Sequence, residues 1–170
     1  VREGDHIEAN TQLARFTGPA RALLTGERTA LNFIQMLSAV ASRTRDLAML
    51  VKGTPARVFD TRKTIPGLRD AQKYAVKVGG GDNHRIGLFD QILIKENHIA
   101  SAGSITQAIH AARQMHPTIK VQVEVETFGE LEEAFNAQPD IIMLDNFDIN
   151  ALKEAVQQRA NAGLQHIELE

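Results

Sequence analysis

Five cations and two carboxylates in this chain are of the right type, and stand in the right kind of place, to do chemistry: Arg28, Arg62, Lys63, Arg85 and Lys95, with Glu124 and Asp145. Arginine presents a planar fork that matches carboxylate or phosphate through two hydrogen bonds, whereas lysine acts as a point charge. Glu124 and Asp145 are hard oxygen ligands of the kind magnesium takes, one or two at a time, together with waters and substrate phosphates. The combination points to a polyanionic substrate chelated by a divalent ion. The chain has no cysteine, which excludes a disulfide framework, a thiolate metal site and a cysteine nucleophile.

Each of these residues also has a plainer reading. Arg28 is expected in the first turn of a helix capped by Thr25, where the macrodipole disfavours a cation and a nearby anion would offset the cost; the alternative is a surface Arg paired with Glu27. Arg62 and Lys63 stand in DTRKTIPGLR (60–69), where Pro66 and Gly67 shape a turn before a helix starting near Leu68. Such a loop can aim two cations and a helix amino terminus at an anion, or leave both cations solvated. Gly79-Gly80-Gly81 lacks the spacing of a P-loop or a dinucleotide fingerprint and reads as a helix terminator that delivers His84 and Arg85. His84 and His98 could equally be satisfied loop or core histidines; neither shows metal-ligand spacing. For Glu124 and Asp145 the alternative to metal contact is a buried salt bridge to one of the cations.

The elements that must position these groups are legible in outline. A chain of 170 residues with 43% hydrophobic and 24% charged residues can build one globular domain with a substantial core. The longest uncharged stretch, Thr29 to Ser42, is interrupted by Asn32 and Gln35 and falls short of the ~20 apolar residues that span a bilayer. No basic, apolar leader opens the chain, so the cytoplasm is the expected compartment. A first residue that is Val, and an end at Glu170 directly after an apolar-alternating run, suggest a fragment of a longer protein. The net charge of −2 hides an asymmetry: eight Lys or Arg against five Asp or Glu from Arg57 to His98, and three against eleven from Ile119 to Glu170. A nucleic-acid groove would need a continuous basic face with interleaved aromatics, and only Tyr74 and seven Phe are present, so neither nucleic acid nor membrane is an expected partner.

Residues 1–24 read as short extended segments and turns, the remnant of another unit. A connecting helix is expected over 25–52, with Leu31, Ile34, Leu37 and Val40 on one stripe. From 53 to 170, short apolar runs alternate with helical stretches: Arg57 to Phe59, Ile92 to Ile94, Val121 to Val125, Ile141 to Leu144 and Leu164 to Leu169. That alternation predicts an α/β fold with a parallel sheet. In such sheets the chemistry sits at the carboxyl ends of the strands, and successive runs here end in DTRK (60–63), KENH (95–98), the Glu124/Glu126 pair and Asp145-Asn146. Alternation along the third run sets Val121, Val123 and Val125 under the helices and turns Gln122, Glu124 and Glu126 to the other face. Glu124 is the deeper candidate of the two glutamates.

These segments resemble the quinolinate phosphoribosyltransferase family. The likeness runs from about Gly4 to Glu170 and is carried by GERTALNF from Gly26, DTRKTIPGLR from Asp60, KYAVKVGGGDNHRIGLFDQILIKENHI from Lys73, VEVE from Val123 and IIMLDNF from Ile141. The resemblance implies an open, TIM-like parallel α/β-barrel, incomplete in this chain, preceded by the tail of an α+β sandwich domain. It implies transfer of phosphoribosyl from 5-phosphoribosyl pyrophosphate to quinolinate with decarboxylation, giving nicotinate mononucleotide, pyrophosphate and carbon dioxide, with Mg2+ as cofactor. Carried over residue by residue, Arg28, Thr61, Arg62, Lys63, His84, Arg85 and Lys95 match substrate-binding positions. Lys63, Lys95, Glu124 and Asp145 match catalytic ones, and Glu124 and Asp145 the magnesium region. Glu124 is preferred to Glu126 because its spacing from Lys95 and Asp145 agrees with the family pattern. The family further implies a homodimer or higher oligomer in which Arg28 reaches the neighbouring site. The family's phosphate-binding glycine segments would lie beyond Glu170, so the fragment alone is expected to be inactive. Two other readings stay open: a Schiff-base aldolase-type barrel using Lys95, and a non-catalytic anion-binding barrel.

Overall fold

The computed structural model describes residues 1–170, and the chain divides into two compact units, 1–86 and 87–170. The first unit is built on two helices, α1 (Ala20–Leu50) and α2 (Arg69–Val78). At 31 residues, α1 is roughly 46 Å long. It begins earlier than its sequence suggests. Pro19, with φ −59° and no backbone N–H to lose, stands at its start, and the helix runs on through Thr25-Gly26. The Thr25 hydroxyl donates back to the Arg21 carbonyl at 2.8 Å, which places Thr25 inside the helix and not at its cap. Arg28 is therefore two turns in, beyond the reach of the terminal dipole, and the first-turn argument for an anion beside it fails. No helix of the structure is long and apolar enough to cross a membrane.

The glycine run after α2 owes its composition to close packing on α1. Gly79 is the C-cap residue of α2, and a Cβ there would stand 2.4 Å from the Ala41 carbonyl oxygen. A Cβ at Gly81 would meet the Thr44 methyl at 2.7 Å and Val76 at 2.9 Å. Gly80 between them has φ +91°, where L side chains are strained. The run ends a helix and lets the chain pass against α1, as expected of a terminator. The strand expected over Arg57 to Phe59 is reduced to one parallel bridge, Phe59 with Asp82, because the segment has a single short neighbour and no lattice to extend it.

The second unit is a four-stranded parallel sheet in the order β1 (Ile92–Ile94), β2 (Val121–Val125), β3 (Ile141–Leu144), β4 (Glu168–Leu169). The intervening helices are α3 (Glu96–Ala102), α4 (Ile105–Met115), α5 (Phe128–Ala137) and α6 (Ile149–Asn161). This is the α/β alternation expected from the sequence, in the strand order of part of a barrel. β4 is shorter than its apolar pattern, since Leu164 and Ile167 belong to a turn closed by the Ile167 N–H on the Leu164 carbonyl. Val121, Val123 and Val125 have no exposed surface and pack with Ile94, Ile105, Leu131, Ala134 and Ile142 in the core. Ser104, Thr127 and Asp148 cap α4, α5 and α6 through their side-chain oxygens, which fixes where each helix leaves the sheet.

Candidate functional site

Charged groups gather in both units, held by different means. In the second unit the backbone register does the placing. Ile94 pairs with Val123, and Glu124 with Met143. Extended by one residue from β1 and two from β3, that register sets Lys95 beside Glu124 and Asp145 beside Glu126. Strand alternation then directs Leu93, Lys95, Gln122, Glu124, Glu126, Met143 and Asp145 to one face, opposite the core valines. Lys95 Nζ is ion-paired with the Glu124 carboxylate, with side chains 45% and 11% exposed respectively. Oxygens of Glu124, Glu126 and Asp145 lie within 4.8 Å of one another. Lys95, Glu124 and Asp145, all proposed from sequence, are thus brought together, and Glu126, set aside there, joins them.

The local backbone supports that cluster. The Asp145 N–H donates to the Val125 carbonyl at 2.9 Å, continuing the ladder one step past β3. Asn146, at φ 60°, turns the chain away immediately afterwards. The Glu126 N–H is held at 2.8 Å by Glu130, whose carboxylate also caps the Thr127 N–H at 3.2 Å. His98 accepts from the Lys95 N–H through Nδ1 at 3.1 Å, a positioning contact at the start of α3. Magnesium ligands lie ~2.0–2.1 Å from the ion, so opposite ligands are about 4.2 Å apart. Three oxygens spanning up to 4.8 Å suit an ion taken directly by one or two carboxylates and through water by the rest. The donor set fits magnesium.

In the first unit a buried ion pair takes the place of the lattice. Lys73 Nζ, with a side chain 3% exposed, lies 2.5 Å from Oδ1 of Asp60, itself 7% exposed. The same ammonium donates to the His84 carbonyl at 2.7 Å, and the same Asp60 oxygen accepts from the His84 N–H at 2.8 Å. Both polar groups of the His84 backbone are thereby gripped, and its ring meets Phe59 edge-on at 6.4 Å. Asp60 Oδ2 is buried without a hydrogen-bond partner, as is Arg62 Nε. Arg69 supplies a second brace: its guanidinium donates to the Thr64 hydroxyl at 3.3 Å, the Arg62 carbonyl at 3.4 Å and the Ile86 carbonyl at 2.9 Å. It ties the DTRKT loop to the segment that carries His84 and Arg85. Thr61 turns its hydroxyl inward along the loop to accept from the Lys63 N–H at 3.0 Å, and Thr61 and Lys63 are exposed. Arg28 stands on an exposed part of α1.

Asp82 completes the electrostatics of this unit. A hydrogen bond from Lys77 at 2.7 Å holds its carboxyl below the ordinary range. Partial burial opposes that shift, and the charges of Lys77 and of Arg57 at 3.8 Å add to it. Tyr74 is held above the usual phenol range, chiefly because its hydroxyl donates to Glu3. Lys73 and Arg69 were not singled out from sequence. The available signal was Lys73 itself, three residues before Val76 on the stripe of α2 that is buried, one residue type that a buried stripe accepts only when paired.

The chain matches two family models, the quinolinate phosphoribosyl transferase N-terminal domain over residues 1–38 and the C-terminal domain over residues 40–170. It is 44% identical to the carboxylating nicotinate-nucleotide pyrophosphorylase of Mycobacterium leprae over 159 residues, 94% of this chain and 56% of that protein. It is 48% identical to the probable carboxylating nicotinate-nucleotide pyrophosphorylase of Bacillus subtilis over 146 residues, 85% of this chain and 50% of that protein. The crystal structure of NadC from Streptococcus pyogenes superposes with a TM-score of 0.91 at 43% identity, covering 99% of this chain and 58% of that one. The chain spans about half the length of the curated relatives it matches.

Proposed function

The chain belongs to the quinolinate phosphoribosyl transferase family, and from that premise we propose that it carries the quinolinate-binding and ribosyl-facing residues of an enzyme that transfers phosphoribosyl from 5-phosphoribosyl pyrophosphate to quinolinate. Decarboxylation follows, giving nicotinate mononucleotide, pyrophosphate and carbon dioxide. The observation that carries the reading is the placing of Lys95, Glu124 and Asp145 on one sheet face at the carboxyl ends of three neighbouring strands, where parallel α/β folds do their chemistry.

Two adjacent carboxylates on a flat ring call for forked, charge-assisted hydrogen bonds. Arg62 and Arg85 supply them, His84 and Thr61 add further hydrogen-bond donors, and Lys63 and Lys95 add point charges. Arg28 acts across a homodimer, on the neighbouring subunit's site. Departure of pyrophosphate leaves positive charge at the anomeric carbon, which Glu124 and Asp145 stabilise electrostatically. Glu124 and Asp145 would hold magnesium, with Glu126 in reach, and the bound ion would neutralise charge on the pyrophosphate as it leaves. The ring nitrogen, made cationic by ribosylation, then stabilises the carbanion whose electron pair stays on the ring as the carboxylate leaves as carbon dioxide, and one proton taken up from solvent at that carbon completes nicotinate mononucleotide; the protein's task in that step is orientation. The Lys95–Glu124 ion pair speaks against the Schiff-base alternative, since a nucleophilic lysine must first give up its proton.

Calorimetry with quinolinate, with and without Mg2+, together with turnover of an Asp145→Asn variant of the full-length protein, tests the reading. Quinolinate should bind the wild type, and the variant should keep that affinity while losing about 100-fold or more in turnover. No heat from quinolinate, or undiminished turnover in Asp145→Asn, would end it.

A further inference from the structure

The segment that carries His84 and Arg85 has no sheet to hold it. It follows three glycines and lies outside every strand; its one β-bridge is Phe59–Asp82, and Arg69 braces its far end at the Ile86 carbonyl. A main chain in that situation needs other partners for its N–H and C=O groups, or it samples several conformations. At His84 both partners come from one buried pair: Asp60 Oδ1 takes the N–H at 2.8 Å and Lys73 Nζ gives to the carbonyl at 2.7 Å. The four groups close a ring through the backbone of one residue, holding the peptide units on both sides of the His84 Cα.

Stability alone is a poor explanation for this arrangement. A buried ion pair is often no better for stability than apolar residues of the same volume. Position 73 adjoins the buried Ala75 and Val76 on α2, where Leu or Met would pack. The pair is also not optimised as a pair, because Asp60 Oδ2 is buried with no donor, and all of the carboxylate's bonding is concentrated on the oxygen that meets His84. We propose that Asp60 and Lys73 are positioning residues for recognition of the pyridine dicarboxylate: by clamping the backbone on both sides of His84 they fix the angle at which the His84 ring and the Arg85 guanidinium are presented. The inference rests on the functional reading given above, and it assigns Asp60 and Lys73 no contact with substrate.

Steady-state kinetics and thermal melts of the full-length protein separate positioning from stability. In the double variant Asp60→Leu/Lys73→Met the charges leave together, so the melt should stay close to that of wild type. The quinolinate KM should nevertheless rise about tenfold or more, with the phosphoribosyl pyrophosphate KM within about twofold of wild type. Asp60→Asn keeps an acceptor for the His84 N–H and should fall between wild type and Asp60→Ala in quinolinate KM. A stable double variant with wild-type quinolinate KM overturns the proposal, and so does an equal loss of both substrates. Should the double variant not fold, Asp60→Asn against Asp60→Ala decides: a graded, quinolinate-specific loss supports positioning, and equal values overturn it. A wild type that makes no nicotinate mononucleotide from quinolinate removes the functional reading and this inference with it, whereas an active wild type matched by its variants removes the inference alone.

Discussion

The two units solve one problem, the holding of charged side chains at fixed places, with different physics. In residues 87–170 the sheet does it. Once Ile94 lies beside Val123 and Glu124 beside Met143, the period of two dictates where Lys95, Glu124 and Asp145 point, and their placement is shared over a ladder of backbone hydrogen bonds and the valine core beneath. In residues 1–86 no ladder reaches His84, and one ion pair between residues thirteen apart takes both of its backbone groups, with Arg69 as a second brace. A lattice distributes load and a clamp concentrates it. The lattice should therefore tolerate loss of a charge that the clamp does not.

The largest expected effect tests that contrast directly. Lys73→Met strands a carboxylate that is 7% exposed and should lower the unfolding free energy by about 3–5 kcal/mol. Lys95→Met, at a lysine 45% exposed, should cost only about 1 kcal/mol once solvent screening is counted. Urea unfolding of both variants is the measurement, and equal losses would erase the distinction between clamp and lattice. An intermediate effect is expected from Thr127→Ala, which removes the α5 cap next to Glu126 and should cost about 1 kcal/mol, or about 3 °C in Tm for a chain of this size. A larger loss, accompanied by disordering of the Glu124 side chain in NMR spectra, would mean that the lattice depends on its cap.

The smallest effect concerns Asp82. Its carboxyl is held below the ordinary range by Lys77, so its contribution to stability is complete above the unfolded carboxylate pKa and is lost as the pH falls through the lower folded value. Between pH 5 and pH 3 the melting temperature of wild type should fall by about one or two degrees more than that of Lys77→Met, the scale of an exposed pair. Parallel pH curves would show that Asp82 contributes nothing measurable.

Particular residues show how far the sequence could be read. The alternation VQVEV (121–125) was enough to put the valines inside and Glu124 on the functional face, because side-chain direction in a strand depends on parity alone. It applied equally to Glu126, whose place beside Asp145 needed the register of β3. α1 starts earlier than the sequence predicts: Thr25-Gly26 has the chemistry of a cap, but the deciding contacts are the Pro19 backbone and the back-bond from Thr25 to Arg21. Lys73 carries no local mark of its role, because its burial depends on what packs against α2.

By itself the sequence determined the local terms: residue chemistry, strand parity, the glycine stop after α2, and the helix caps at Ser104, Thr127 and Asp148. These depend on neighbours a few residues away and are written in order along the chain. Tertiary structure alone decided which lysine would be buried, which carboxylate would meet it, and that their common ligand would be the backbone of His84. Those outcomes turn on desolvation, and the free energy of an ion removed from water is set by whatever surrounds it in space, whatever stands next to it in the chain.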